Sequence, residues 1–343
     1  MQNSAYYKNK TILVTGGAGS IGREIVKKVL GYSPKVVRIF DNNETGLFDL
    51  DQDLHSKNIR LLVGDIRDKE RLEMAFEGVD IVFHAAALKH VPLCEFNPFD
   101  AIKTNILGTQ NVLRVALQYE VDKLILISTD KVVNPTNVMG ATKLLAERLA
   151  ISANYYKGNR KTVFSCVRFG NVMGSRGSVI PLFKKQIQHG EALTVTEPEM
   201  TRFIMRIDKA IDLILKSGRI AKGGEIFILK MPAIQLLNLA EAMREMYAPE
   251  FGYGPEDIPL TIIGRRPGEK MHEELLTGIE CENVWENDEL FIIVPEIDLF
   301  WELSDNRIPD GFARTTRSAY SSQDGDLLSK EQIKQFIREL HIE

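Results

Sequence analysis

Three consecutive residues, Thr129, Asp130 and Lys131, set a hydroxyl, a carboxyl and an amine side by side, and Met139 and Lys143 follow shortly after. Hydroxyl, carboxyl and amine groups can pass protons to and from a bound molecule, whereas the thioether of Met139 has no exchangeable proton. The surrounding pattern says where these groups sit. Leu124-Ile125-Leu126-Ile127 is an unbroken apolar run of the kind that parallel strands show when buried on both faces, and Ser128 marks its carboxyl end. In open α/β sheets ligands bind just beyond the carboxyl ends of the strands, so the three polar residues fall where a substrate is held. After the turn residues Asn134-Pro135-Thr136-Asn137, the segment from Val138 to Tyr156 is rich in Ala, Leu, Lys and Glu and predicts a helix. Met139 and Lys143 are four apart and share one face of it.

The chain ahead of this corner alternates strand and helix patterns whose strand ends suit a dinucleotide. Lys10-Thr11-Ile12-Leu13-Val14 runs into Thr15-Gly16-Gly17-Ala18-Gly19-Ser20-Ile21-Gly22 and then a helix to about Leu30. Gly16, Gly19 and Gly22 permit a tight turn, close approach of backbone to pyrophosphate and tight helix packing, and the helix start at Ser20 and Ile21 faces the phosphates. The string alone is weak; strand, glycines and helix in this order make it informative. A second strand, Val36 to Phe40, ends at Asp41, whose carboxylate would accept from ribose hydroxyls and repel a 2′-phosphate, and Asn42 follows where an arginine would suit NADP. The cofactor expected is NAD. A third strand leads to Asp65-Ile66. A fourth, Asp80 to His84, leads to Ala85-Ala86-Ala87, whose small side chains let the backbone pass close to a cofactor. Lys89 lies one short loop beyond, as an anion contact for a substrate phosphate or as a surface lysine. His84 and His90 have no cysteine or carboxylate at ligand spacing, so no metal is expected.

Composition narrows the classes. The chain has 343 residues and a formal net charge of -4, with a pI near 6.0, which gives no electrostatic reason to expect nucleic acid or a membrane surface as partner. Cys94, Cys166 and Cys281 cannot all pair and lack metal-ligand spacing, which points to a reducing cytoplasm. The amino terminus does not read as a secretory signal, and no window approaches the length of a bilayer-spanning helix, so no membrane insertion is expected.

Past Lys157 the elements shorten and turn residues multiply. Val163 to Val167 predicts another strand, followed by Gly170 and Asn171. Three stretches with basic residues come next, the first and last of them containing glycine: one from Ser175 through Val179 to Lys184, one from Thr194 to Arg202, and one through Arg265, Arg266, Gly268 and Glu269. Arginine forks suit phosphates bidentately and a nearby glutamate can accept sugar hydroxyls, so together these loops favour a nucleotide-sugar site. The expected organisation is an NAD-binding domain over residues 1–167 and a nucleotide-sugar-binding domain over 168–343, with elements free to interleave. Beyond about residue 277 only a final helix, Ser329 to Leu340, is predicted.

The strand-end Ser128-Thr129 and the helical Met139-x-x-x-Lys143 resemble the extended short-chain dehydrogenase/reductase superfamily, with methionine where that superfamily has its tyrosine. Longer strings sharpen the resemblance. Ala85 to Pro92, Ser128 to Lys131, Asn134 to Lys143, Gly170-Asn171-Val172, Met200 to Phe203 and Arg266 to Lys270 are similar to the CapD-like polysaccharide biosynthesis family, densely from residue 10 to about 276. The resemblance implies an α/β fold, a Rossmann-type doubly wound parallel sheet with a smaller α/β substrate-binding domain. It implies a nucleotide-sugar 4,6-dehydratase acting on a UDP-sugar, UDP-N-acetylglucosamine, with tightly bound NAD. Asp130 is then the acid, Lys131 the base, Lys143 the holder of the nicotinamide ribose, and Asp65-Ile66 the pair that brackets the adenine. Asn105, within a helix expected from Pro98 to Tyr119, supports the active site or is a buried amide satisfying backbone groups. Two replacements for the missing tyrosine stay open: Thr129 as a hydroxyl relay through water to Lys143 or the ribose hydroxyl, or a direct water relay. The helices from Pro98 to Tyr119 and Val138 to Tyr156 imply a homo-oligomer. Two other readings stay open: a nucleotide-sugar epimerase, including a dehydratase that inverts C5, and a non-catalytic NAD-binding sensor.

Overall fold

In a computed structural model, which describes residues 2–174, 178–295 and 308–340, the first half of the chain is a parallel sheet wound with helices. β1 (Thr11–Thr15), β2 (Val36–Asp41), β3 (Ile59–Val63), β4 (Ile81–His84), β5 (Lys123–Ile127) and β6 (Val163–Arg168) lie in the order β3-β2-β1-β4-β5-β6, and all of these neighbours pair in parallel. β1 and β4 are buried along their whole length, which is why their sequences are apolar rather than alternating. The helices α1 (Ser20–Leu30), α2 (Glu44–Leu54), α3 (Lys69–Phe76), α4 (Thr109–Gln118) and α5 (Val138–Tyr156) are the crossovers. Strand order reverses between β1 and β4, and such a switch point opens the ligand crevice at the strands' carboxyl ends.

The single helix expected from Pro98 to Tyr119 is interrupted. Pro98–Ala101 is α-helical, Ile102–Gly108 is a π-helix, and α4 completes the run. Such π turns are uncommon and local. This one carries Asn105, which is fully buried.

The second half contributes β7 (Asn171–Val172), β8 (Leu193–Val195), β9 (Thr201–Met205), β10 (Ile226–Leu229), β11 (Ala233–Gln235), β12 (Leu260–Ile262), β13 (Glu274–Leu276), β14 (Val284–Glu286), β15 (Leu290–Ile293), β16 (Ala313–Arg314) and β17 (Tyr320–Ser321). β10 returns to the main sheet parallel to β6, and β15, β14 and β16 extend that edge antiparallel. A boundary at 167/168 in the sequence is therefore crossed in space. The rest forms a small sheet, β11-β9-β7, and the two-strand pairs β12-β8 and β13-β17.

Residues from Val179 onward, expected as a basic loop, form the helix α6 (Val179–Gln188), because Ile180, Phe183 and Ile187 recur on one face. They pack in a second apolar core with α8 (Leu236–Tyr247) and α9 (Lys330–Arg338), while α7 (Ile207–Ile220) lies against α1 and the main sheet. Residues 175–177 of the expected loop lie outside the described residues. The predicted final helix appears as α9, with Ser329 as its N-cap. No helix among the described residues is long and apolar enough to cross a membrane.

One buried ion cluster ties the halves together beneath the corner at Ser128. The Glu147 carboxylate, on α5, accepts from Ser128 Oγ at 2.8 Å and from Arg168 Nε and Nη2 at 2.9 and 2.6 Å. Arg168 Nη2 also reaches Glu280 at 2.7 Å, and its Nη1 reaches the Leu275 carbonyl at 3.2 Å. Removing one partner of such a cluster leaves an uncompensated buried charge. Glu147→Ala is expected to lower unfolding stability by about 3–5 kcal/mol in urea titration, whereas Lys28→Ala, which breaks an exposed pair with Asp212, should cost less than about 1 kcal/mol.

Candidate active site

The crevice begins where β1 turns into α1. Gly16 has φ +71, and a Cβ on it would lie 2.6 Å from the Ala86 nitrogen, so only glycine lets the turn touch the strand end at Ala85-Ala86. Gly19 caps α1 without any side-chain bond to the first helical N–H groups, which leaves them for an anion in the way that phosphate-binding helices do. Asp41, at the end of β2, accepts from Ala18 N and Asn43 N, each at 2.9 Å, and so holds a carboxylate beside the turn. Asn42 Nδ2 lies 3.4 Å from Asp65. The Arg67 guanidinium, bonded to Asp65 at 2.6–3.0 Å, holds that carboxyl below its ordinary value. Ile66 is buried under Gly108. Residues Ser20, Ile21 and Gly22 form the first turn of α1. A cradle that a Cβ would fill, an uncapped helix start and a carboxylate at the next strand end fit a dinucleotide with free ribose hydroxyls.

Asn105 is spent within the protein: its Oδ1 accepts from Leu88 N at 2.8 Å, and its Nδ2 donates to Leu88 O and Thr142 Oγ1, both at 3.0 Å. It ties the loop after Ala87 to α5 and has no hydrogen left for a cofactor. His84 is likewise internal, bridging Thr15 and Thr109. Burial, helped by the Lys143 charge, lowers its pKa to about 3, so the ring is neutral.

At the end of β5 the chain breaks into a short 3-10 turn, Asp130–Val132, and α5 starts close against it. Asn137 caps α5 through Gly140 N at 2.8 Å. A Cβ on Gly140 would lie 2.3 Å from the Lys131 carbonyl, so this glycine sets how near the helix comes. Thr129 Oγ1 donates to Asp130 Oδ1 at 2.7 Å, and Lys131 Nζ lies 3.1 and 3.0 Å from the two Asp130 oxygens. Asp130 is 2% exposed while the Lys131 side chain is 32% exposed and can meet a ligand. Burial works to raise the Asp130 carboxyl, but the Lys131 charge and the Thr129 bond hold it below its ordinary value. Burial works to lower Lys131, and the facing carboxylates outweigh it and raise the amine. Lys143 Nζ donates to the Ile127 carbonyl at 2.6 Å, and burial lowers its pKa to about 8. Met139 is 3% exposed and packs with Cys94 and Ala101. The Thr129 hydroxyl is thus bonded towards Asp130 and not towards Lys143.

A group that the sequence reading did not single out completes the corner. Glu273, 5% exposed, lies 3.6 Å from Lys131 Nζ and 3.5 Å from Arg202 Nε. It accepts from Asn171 Nδ2 at 2.9 and 2.8 Å and from Phe203 N at 3.0 Å. Burial and the Asp130 charge push its pKa up to about 7 against Lys131 and Arg202. It follows the string Arg266 to Lys270 by three residues, but nothing in local periodicity distinguishes it from the neighbouring Glu274.

The expected substrate residues divide into two groups. Asn171, Arg202 and Glu269 gather behind the corner: Arg202 donates to Glu269 at 3.1 Å and to the Thr201 and Met271 carbonyls at 2.7 and 3.2 Å. Its guanidinium is engaged by protein and positions carboxylates. Arg265 and Arg266 are exposed and form no ion pair among the described residues, while the loop they share is latched to the corner by Thr136 and Asn137 on the Gly268 carbonyl. Val179 starts α6, where Ser178 Oγ is buried without a partner. Thr194 accepts from Gln186 at 3.1 Å. Lys184 places its ammonium 5.6 Å above the Tyr247 ring, and Lys89 lies exposed after β4.

Residues 12–295 match the family described as polysaccharide biosynthesis protein. An uncharacterized membrane protein of Methanocaldococcus jannaschii is 56% identical over 98% of each chain. The UDP-N-acetylglucosamine 4,6-dehydratase (inverting) of Campylobacter jejuni serotype O:23/36 is 40% identical over 90% of this chain and 92% of its own. Among solved structures, Pen from Bacillus thuringiensis is 44% identical and superposes with a TM-score of 0.90 over 97% of this chain and 98% of its own. Family match, full-length relatives and a shared fold agree: the chain belongs to the polysaccharide biosynthesis protein family.

Proposed function

We propose that the chain is an NAD-dependent nucleotide-sugar 4,6-dehydratase that converts UDP-N-acetylglucosamine to a UDP-4-keto-6-deoxy-N-acetylhexosamine. The observation that carries the reading is the bonded set Thr129, Asp130 and Lys131 at the end of β5, beside a crevice built for a dinucleotide. The Campylobacter relative, which bears this activity in its name, supports it. So does the solvent-facing pair Arg265 and Arg266, whose forks suit a diphosphate.

When bound, NAD would supply a hydride acceptor for the C4 hydrogen and a hydride donor for C6. Gly16, Gly19, the start of α1, Asp41 and Lys143 would hold it. The C4 hydroxyl proton passes to Thr129, whose own proton goes to Asp130 along their 2.7 Å bond. The C4 carbonyl acidifies the C5 hydrogen, a neutral Lys131 removes that proton, and Asp130 protonates the departing C6 hydroxyl as water. Lys131 then returns its proton to C5. Lys131 enters the cycle as the neutral amine after giving its ammonium proton to solvent; from there the proton of the C4 hydroxyl leaves in water, and Asp130 and Lys131 end the cycle in the states in which they entered it. Met139 takes no part, consistent with its packed side chain.

Two copies joining through α4 and α5 would cover the exposed Leu145 and Tyr156, which supports a homo-oligomer. Three buried, unpaired cysteines support a reducing compartment such as the cytoplasm. Incubation with UDP-N-acetylglucosamine in deuterated water is expected to give a product lighter by one water with deuterium at C5, read by mass spectrometry and NMR. An isomer without water loss would indicate an epimerase, and unchanged sugar would favour a sensor. Thr129→Val should slow C4 oxidation by roughly a hundred to ten thousand fold, and unchanged turnover would reject the relay.

A further inference from the structure

Lys131 can act as a base only as the neutral amine, yet it faces two buried carboxyls. Asp130 lies at 3.0 Å and Glu273 at 3.6 Å. We propose that Glu273 is a positioning residue that governs whether Lys131 can be a base: protonated, it bonds Asp130 and releases the amine from a second negative charge; ionised, it locks Lys131 as ammonium. This rests on the dehydratase reading and adds a control to it.

Glu273 is held by Asn171, Phe203 N and Arg202 at the position where it meets Lys131. Among the described residues, the charged groups facing it are Asp130 and Lys131 from the corner turn and Arg202 from β9. Glu269 reaches it only through Arg202, and His272 turns to Thr201 Oγ1 at 2.8 Å. Asn171 and Phe203 N supply three neutral donor contacts to its oxygens. The carboxyl is thereby fixed with one oxygen towards Lys131, and when protonated it hydrogen-bonds Asp130. Because its pKa lies at about 7, the switch falls within the working pH range. The pair titrates as a unit, so a pH profile reports the cluster and not one residue.

Glu273→Gln mimics the protonated form, with an amide that can donate to Asp130. Turnover of UDP-N-acetylglucosamine by wild type and variant is compared from pH 6 to 9, after the wild type has been seen to form product. The ratio of variant to wild type is expected to rise through a midpoint near 7, by on the order of tenfold, which is one unit of change in the Lys131 pKa. KM should move less than kcat, since Glu273 touches residues of the site and not the sugar. A ratio independent of pH, or one that falls, would overturn the proposal and leave Glu273 a merely structural group.

Stability gives a readout that needs no substrate. A carboxyl whose folded pKa is raised costs stability as pH climbs from its unfolded value near 4.5 to about 7. The melting temperature of Glu273→Gln relative to wild type should therefore increase from pH 5 to pH 8, and a constant difference would contradict a raised pKa even if the chosen sugar proved wrong. Should Glu273→Gln not fold, Asn171→Ala decides: losing donors to the ionised carboxylate moves the bend in the pH profile upward, and an unmoved bend overturns the proposal.

Discussion

The Lys131 ammonium stands 3.0 Å from a carboxylate that is almost wholly out of water, and the chemistry proposed here turns on how that attraction is relaxed. In the free protein the pair is in the wrong protonation state for elimination, with the amine charged and the carboxyl ionised. A proton moved onto Asp130 removes the charge that holds the ammonium, which can then give its own proton to solvent. Thr129 at 2.7 Å is placed to deliver the proton for Asp130 from the sugar. In the proposed reaction the missing tyrosine matters less, because the carboxyl proposed to protonate the leaving hydroxyl is loaded by the oxidation that precedes it.

What keeps the pair in place lies underneath it. Gly140 lets α5 approach the corner, Asn137 caps the helix at that point, and Glu147 on the same helix clamps Ser128 and Arg168. Arg168 carries the linkage on to Glu280 and Leu275, so the segment that contributes Glu273 is anchored to the strand that contributes Asp130. Both halves of the chain thus meet at one polar corner inside an apolar frame. Neighbours that are far apart in sequence determine its protonation.

This division explains what could be read from the sequence. The run Leu124 to Ile127, the glycine turn at Gly16 and the helix from Val138 are local patterns with local causes, and the structure reproduces them. The role of Asn105 is not legible in the sequence, because its partners, the Leu88 backbone and Thr142, meet it only in the folded chain at a π turn that no spacing reveals. The stretch from Val179 follows glycines and carries two lysines, which suggest a loop, yet Ile180, Phe183 and Ile187 carry a helical period and the segment is a helix. Arg202 was read as a phosphate fork, and the carboxylates that engage it come from residues more than sixty positions away. Glu273 was missed for the same reason: its environment is assembled entirely by tertiary contacts.

The most direct test of the acid and base assignment separates oxidation from elimination. Lys131→Met, mixed with UDP-N-acetylglucosamine in a rapid-mixing spectrometer, is followed by the absorbance of reduced nicotinamide while the sugar is sampled for mass. The account predicts that reduced nicotinamide accumulates and that the sugar loses two hydrogens but no water. Loss of water at the wild-type rate would contradict it, because the C5 proton would then be leaving without the amine.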